Sequence, residues 1–172
     1  MKPIIAITII AINLLFAFTI ELNAQTHTSP FEALRPLAGN WEGTATMFTQ
    51  LGKSALKQTE HVELKLNENI AVIHGRGFNK TSNELEFEAY ALAHWDETSQ
   101  KYIIDAHTLE GRDVRATMEL EPGKLIWGFE VPNQGFVRYE IIFTETTWKE
   151  TGQFSRDGKN WFTTVELDLK KI

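Results

Sequence analysis

Much of the chain alternates between apolar and polar positions. Leu85, Phe87, Ala89, Ala91, Ala93 and Trp95 share one parity, with Glu84, Glu86 and Glu88 on the other, the two-residue period of a strand with one buried face. Val114, Ala116, Met118 and Leu120 repeat the pattern against Asp113, Arg115, Thr117 and Glu119. Runs that alternate, or are rich in β-branched and aromatic residues, cover 41–48, 58–66, 70–78, 84–95, 101–108, 112–120, 124–130, 136–143, 147–155 and 161–169. Between them lie turn residues, among them Asn67-Glu68-Asn69, Glu121-Pro122-Gly123, Pro132-Asn133-Gln134-Gly135 and Asp157-Gly158. Short turns join antiparallel neighbours, whereas parallel strands need long crossovers. An open sheet of this many strands would leave unpaired edges, which closure removes. The pattern predicts an all-β fold, an antiparallel up-and-down β-barrel of about ten strands. A sandwich is the alternative, but no long Greek-key connection is present. A short helical turn is expected over 31–35, limited by Pro36.

The apolar parity marks the interior. Phe87, Ala89, Ala91 and Trp95, with Met118 and Trp127 from later runs, are the expected ligand-lining set. Alanines facing a barrel axis either let strands pack tightly or leave a cavity, and the pattern is compatible with both.

The first residues add a location. Lys2, an apolar run from Ile4 to Ile20 and a small residue at Ala24 read as a secretory signal peptide over 1–24, so a periplasmic or secreted protein is expected, with no stable membrane anchor after cleavage. The alternative is an N-terminal anchor, since the run approaches spanning length. Residues 25–38 then form a lead containing the short helix, and 39–172 a lipocalin-like barrel domain. The chain beyond the signal is one domain's worth, long enough to bury a core unaided. The absence of cysteine excludes disulfides and a lipoprotein anchor, so packing alone must stabilise the fold. A formal charge of −6 argues against nucleic acid as a partner.

At Leu37-Ala38-Gly39-Asn40-Trp41-Glu42-Gly43 a helical lead runs into a Gly-x-Trp on the first strand, which resembles the calycin superfamily. Ser155-Arg156-Asp157-Gly158-Lys159-Asn160-Trp161 resembles a hairpin of secreted bacterial lipocalin-like proteins of uncharacterised function. The resemblance spans about Phe31 to Lys171 and implies a barrel that holds a small, mostly apolar molecule. It also implies a basic side chain packed over Trp41, for which Arg138 and Lys170 are the candidates. Gly39 and Trp41 are read as structural: glycine permits the tight entry, and a buried indole plugs one barrel end while its N–H finds a carbonyl. Two features depart from better-known members. Arg138 and Tyr139 are adjacent and face opposite ways, so the Arg-x-Tyr carboxylate clamp of fatty-acid-binding proteins does not carry over. No histidine follows His107, so the C-terminal haem ligand of nitrobindin-like barrels is absent.

Little else points to chemistry. His27, His61, His74, His94 and His107 show no metal-ligand spacing, and no cofactor or metal is expected. His61 and His94 read as solvated. His74 shares parity with Ile70, Val72, Arg76 and Phe78, and if that face is interior it is a polar contact for ligand. Arg138 and Glu140 form an interior pair if their parity points inward; the competing choice is Val137, Tyr139, Ile141 and Phe143. No Gly-x-Ser-x-Gly elbow or cysteine nucleophile occurs, and no catalytic residue is assigned. The acidic residues fall almost entirely on outer parities. The leading function is therefore a small-molecule carrier or sensor. An isomerase or hydrolase using His74, Arg138 or Glu140, and a filled barrel serving as a protein-interaction module, are the alternatives.

Overall fold

The computed structural model describes residues 29–50 and 52–172, so the expected signal peptide and His27 lie outside the described residues. A 3-10 helix (Glu32–Leu37) leads into ten strands: β1 (Gly39–Thr49), β2 (Gly52–Lys65), β3 (Ile70–Asn79), β4 (Leu85–Asp96), β5 (Lys101–Thr108), β6 (Asp113–Glu121), β7 (Lys124–Val131), β8 (Gly135–Phe143), β9 (Thr147–Ser155) and β10 (Phe162–Lys171). Each strand pairs antiparallel with its successor, and β10 closes on β1 with Trp41 opposite Lys171 and Met47 opposite Val165. The up-and-down barrel read from the alternation is the observed architecture. The helix continues through Pro36, which the sequence reading took as its limit. A 3-10 turn carries few backbone bonds for proline to remove. β2 also begins six residues before the expected 58, because it pairs along the whole length of β1 as far as Thr49 opposite Gly52.

The barrel has two unlike ends. The 3-10 helix caps one of them, where Phe31, Leu34, Leu37, Trp41 and Leu169 are essentially without solvent exposure. Polar anchors fix the cap. Trp41 Nε1 donates to the Leu37 carbonyl at 2.8 Å, and the Tyr102 hydroxyl donates to the Pro30 carbonyl at 2.7 Å. Gly39, at φ +125°, makes the entry into β1 in a conformation that side chains rarely adopt. Trp41 meets Trp148 edge to face at 5.8 Å, and the Lys171 ammonium lies 5.2 Å from the Trp41 ring centroid while donating to the Pro36 carbonyl at 2.9 Å. The basic partner of the indole is thus Lys171. Arg138 is on the outer face of β8, and Lys170 points to solvent one residue out of phase with the interior. The opposite end carries the β1–β2, β3–β4, β5–β6, β7–β8 and β9–β10 connections and has no such cap among the described residues.

Candidate functional site

Above the capped end the side chains leave a cavity of about 260 Å³. Its shape follows from an unequal distribution of volume around the barrel. Gly75 of β3, Ala89 and Ala91 of β4, and Ala106 of β5 form a wall of small residues. Across the interior, Trp127 and Phe129 of β7, Tyr139 of β8 and Trp148 of β9 present large rings. Trp127 stacks on Tyr139 at 4.5 Å and on Phe129 at 6.0 Å, which braces the aromatic wall. The rings do not reach across to the alanines, and the space remains between them. Met47, Thr108 and Arg112 mark the far end, and the Arg112 side chain, 77% exposed, places the cavity mouth at the surface.

Two carboxyl groups line this mostly apolar space. Glu60 of β2 is 7% exposed and pairs across strands with Trp41. Glu150 is the next inward position after Trp148 on β9. Gln58 Nε2 donates to Glu60 Oε1 at 2.7 Å, and Trp148 Nε1 donates to Glu150 Oε2 at 3.2 Å. Gly75 makes room for the first group, since a Cβ there would lie 2.6 Å from Glu60 Oε1. Gly152 does the same for Tyr139, whose ring carbon would stand 2.7 Å from such a Cβ. Burial disfavours the charged form of both acids. It pushes Glu60 up to about 8, helped by the nearby charge of Glu150 and opposed by the Gln58 amide, and Glu150 up to about 7, opposed by the Trp148 N–H. The two acids interact, so their protons come off as a coupled pair. Burial, with the charge of Glu150, also raises Tyr139.

The residues expected to line a ligand space divide into three groups. Phe87, Ala89, Ala91 and Trp127 line the cavity. Met118 and Trp95 face inward at the capped end instead: Met118 is 4% exposed in the core cluster, and Trp95 meets Tyr102 edge to face at 4.8 Å. His74 and Arg138 are corrected to the outside. The inward parity of β3 is Ala71, Ile73, Gly75 and Gly77, so His74 points out, 2.8 Å from Glu88 and beside Tyr90. Two glycines empty the inward face of β3 of apolar signal, while Ile70 and Val72 supply it on the outside. On β8 the interior is Val137, Tyr139, Ile141 and Phe143. Arg138 donates to Gln153 at 2.6 Å and stacks over Trp161 at 4.3 Å, while Glu140 pairs with Lys124. His74, on the outer face of β3, therefore lies apart from Arg138 and Glu140, which share the outer face of β8. His61 and His107 are exposed and paired with Glu63 and Asp113.

Glu60 and Glu150 were missed altogether. Their signal was present as polar residues on apolar parities, Leu56-x-Gln58-x-Glu60-x-Val62 and Trp148-x-Glu150-x-Gly152. Among the described residues no cluster of three or more His, Cys, Asp or Glu is arranged to hold a metal ion.

No protein-family model matches the chain, and no curated protein matches it. Its fold is similar to a solved structure, Rv2717c from M. tuberculosis, with a TM-score of 0.64, 8% sequence identity, and coverage of 83% of this chain and 96% of that one. At that identity the similarity concerns the barrel alone.

Proposed function

We propose that this barrel is a lipocalin-like carrier or sensor, of calycin type, that holds a small, mostly apolar molecule outside the cytoplasm. The observation that carries the reading is the apolar cavity of about 260 Å³ between the alanine and aromatic walls. It exceeds the engineered cavity of about 150 Å³ that takes up benzene, so a molecule somewhat larger than a single ring has room. The Gly-x-Trp entry, with its indole sealed beneath a lysine, fits the same reading.

The test adds volume to the small wall. Ala91→Leu is expected to reduce binding of a neutral apolar dye while leaving the unfolding midpoint unchanged, because the new side chain enters free space. A filled core would instead lose about 1–3 kcal/mol by overpacking. Lost stability, with no dye bound by variant or parent, would sink the carrier reading and favour a surface-interaction module. Export is tested separately. N-terminal sequencing of protein recovered outside the cytoplasm is expected to begin at Gln25, and an intact chain starting at Met1 in membranes would point to an anchor.

A further inference from the structure

Glu60, buried, and Glu150, half-buried, leave acceptors unused. Glu60 Oε2, Glu150 Oε1 and the Tyr139 hydroxyl receive no hydrogen bond from the described residues, and no buried side-chain oxygen is sealed away without a partner. Their open sides therefore face the cavity that all three line. Glu60 lies beside Trp41 on the neighbouring strand and Glu150 follows Trp148, and these two indoles touch. The carboxyls thus stand together over the capped floor. The titratable groups lining the cavity are Glu60, Glu150, Tyr139 and Arg112, and the only cation among them is the exposed Arg112 at the mouth.

We propose that the bound molecule is an apolar primary amine, its ammonium group held by Glu60, Glu150 and Tyr139 and its apolar body lying against the wall of Ala89, Ala91 and Ala106. This rests on the carrier reading and names the head group of its ligand. An ammonium ion has three donors and no acceptor, matching three unused oxygens. A carboxylate head would meet two acids and no buried cation. A neutral hydroxyl head would gain one ordinary hydrogen bond, whereas an ammonium gains charge-assisted bonds in a water-poor site. Burial raises both acids, so a bound cation is expected to draw protons off Glu60 and Glu150 as it enters. The acidic chain, at −6, also favours approach of a cation.

Octylamine, octanol and octanoate share one apolar chain and differ in the head group. Titration calorimetry of the purified protein near neutral pH, where an alkylamine is charged, is expected to rank octylamine roughly tenfold or more tighter than octanol, with octanoate weakest. Repeating the octylamine titration in buffers of different ionisation enthalpy should reveal proton release. Glu150→Gln, and Glu60→Gln as a second variant, should bring octylamine to within about threefold of octanol. Both replacements remove a buried acid, and denaturant melts check that each stays folded. Octanol or octanoate binding as tightly as octylamine would overturn the amine head and leave the carrier intact. The amine head is equally overturned, with the carrier intact, if the neutral dye prodan binds but none of the three ligands does. Failure of all four would remove the carrier reading, and the amine with it.

Discussion

Raising the pH from about 5 to about 9 is expected to lower the free energy of unfolding by about 3–5 kcal/mol. The acids responsible are Glu60 and Glu150, which fold into a place where the charged form is disfavoured. Both titrate higher in the folded chain than in the unfolded one, at about 8 and about 7 against 4.5. An acid of that kind stabilises the fold fully below its unfolded pKa, and the contribution is lost as the pH rises through the folded value. The loss therefore runs from about pH 4.5 to about pH 8. The two full shifts would sum to more than the figure given, which is discounted because charges in real protein sites are screened more than a dry interior would allow. Asp157, Glu63, Glu68 and Asp96 act with the opposite sign. Backbone and side-chain donors, and a lysine or arginine at Glu63 and Glu68, hold them low, so their stabilisation is lost on the acid side. A stability maximum just above their range is the expected profile, in contrast to a plateau through neutrality. Denaturant melts across the pH range, followed by tryptophan fluorescence, read it directly. The double replacement Glu60→Gln and Glu150→Gln should flatten the alkaline limb while leaving the acid limb in place. A parent protein whose stability is flat or rising between about pH 5 and about pH 9 would contradict the burial assigned to this pair.

The same two residues mark where the sequence could be read and where it could not. Closure into an up-and-down barrel followed from strand rhythm and tight turns, because antiparallel neighbours leave both signals in local sequence. The inward face was legible on β4 and β6, where every second residue is apolar and most of the others are polar or charged. On β3 two inward glycines, and on β2 and β9 inward polar residues, weakened the contrast on which parity depends. These departures coincide with the cavity. Gly75 yields space to the Glu60 carboxyl, and the acids occupy positions that a filled core would give to leucine or valine. Whether the alanine row closes up or leaves a hole could not be decided along the chain. It depends on the size of side chains from strands on the other side of the barrel, and only the closed topology brings Ala91 to face the aromatic wall. Lys171 was passed over for a related reason: its reach to Trp41 comes from β10 closing on β1, a pairing between the two ends of the domain.

Trp41→Ala is expected to cost about 3–5 kcal/mol, the usual range for truncating a fully buried aromatic side chain. The indole has no solvent exposure, and three contacts made by different parts of the chain depend on it. Its Nε1 holds the Leu37 carbonyl, its ring meets Trp148, and the Lys171 ammonium lies against its face. Loss of the ring leaves Trp148 unsupported from below, and Trp148 in turn donates to Glu150. The substitution should therefore loosen the cavity floor as well as the 3-10 cap. Trp41→Phe separates packing from polarity: it keeps most of the buried area and gives up the bond to Leu37, so about 1–2 kcal/mol is expected for it. Urea melts of the two variants against the parent provide the comparison. An alanine variant within about 1 kcal/mol of the parent would mean that the indole does not plug the barrel, and the floor beneath Glu60 and Glu150 would have to be assigned to other side chains.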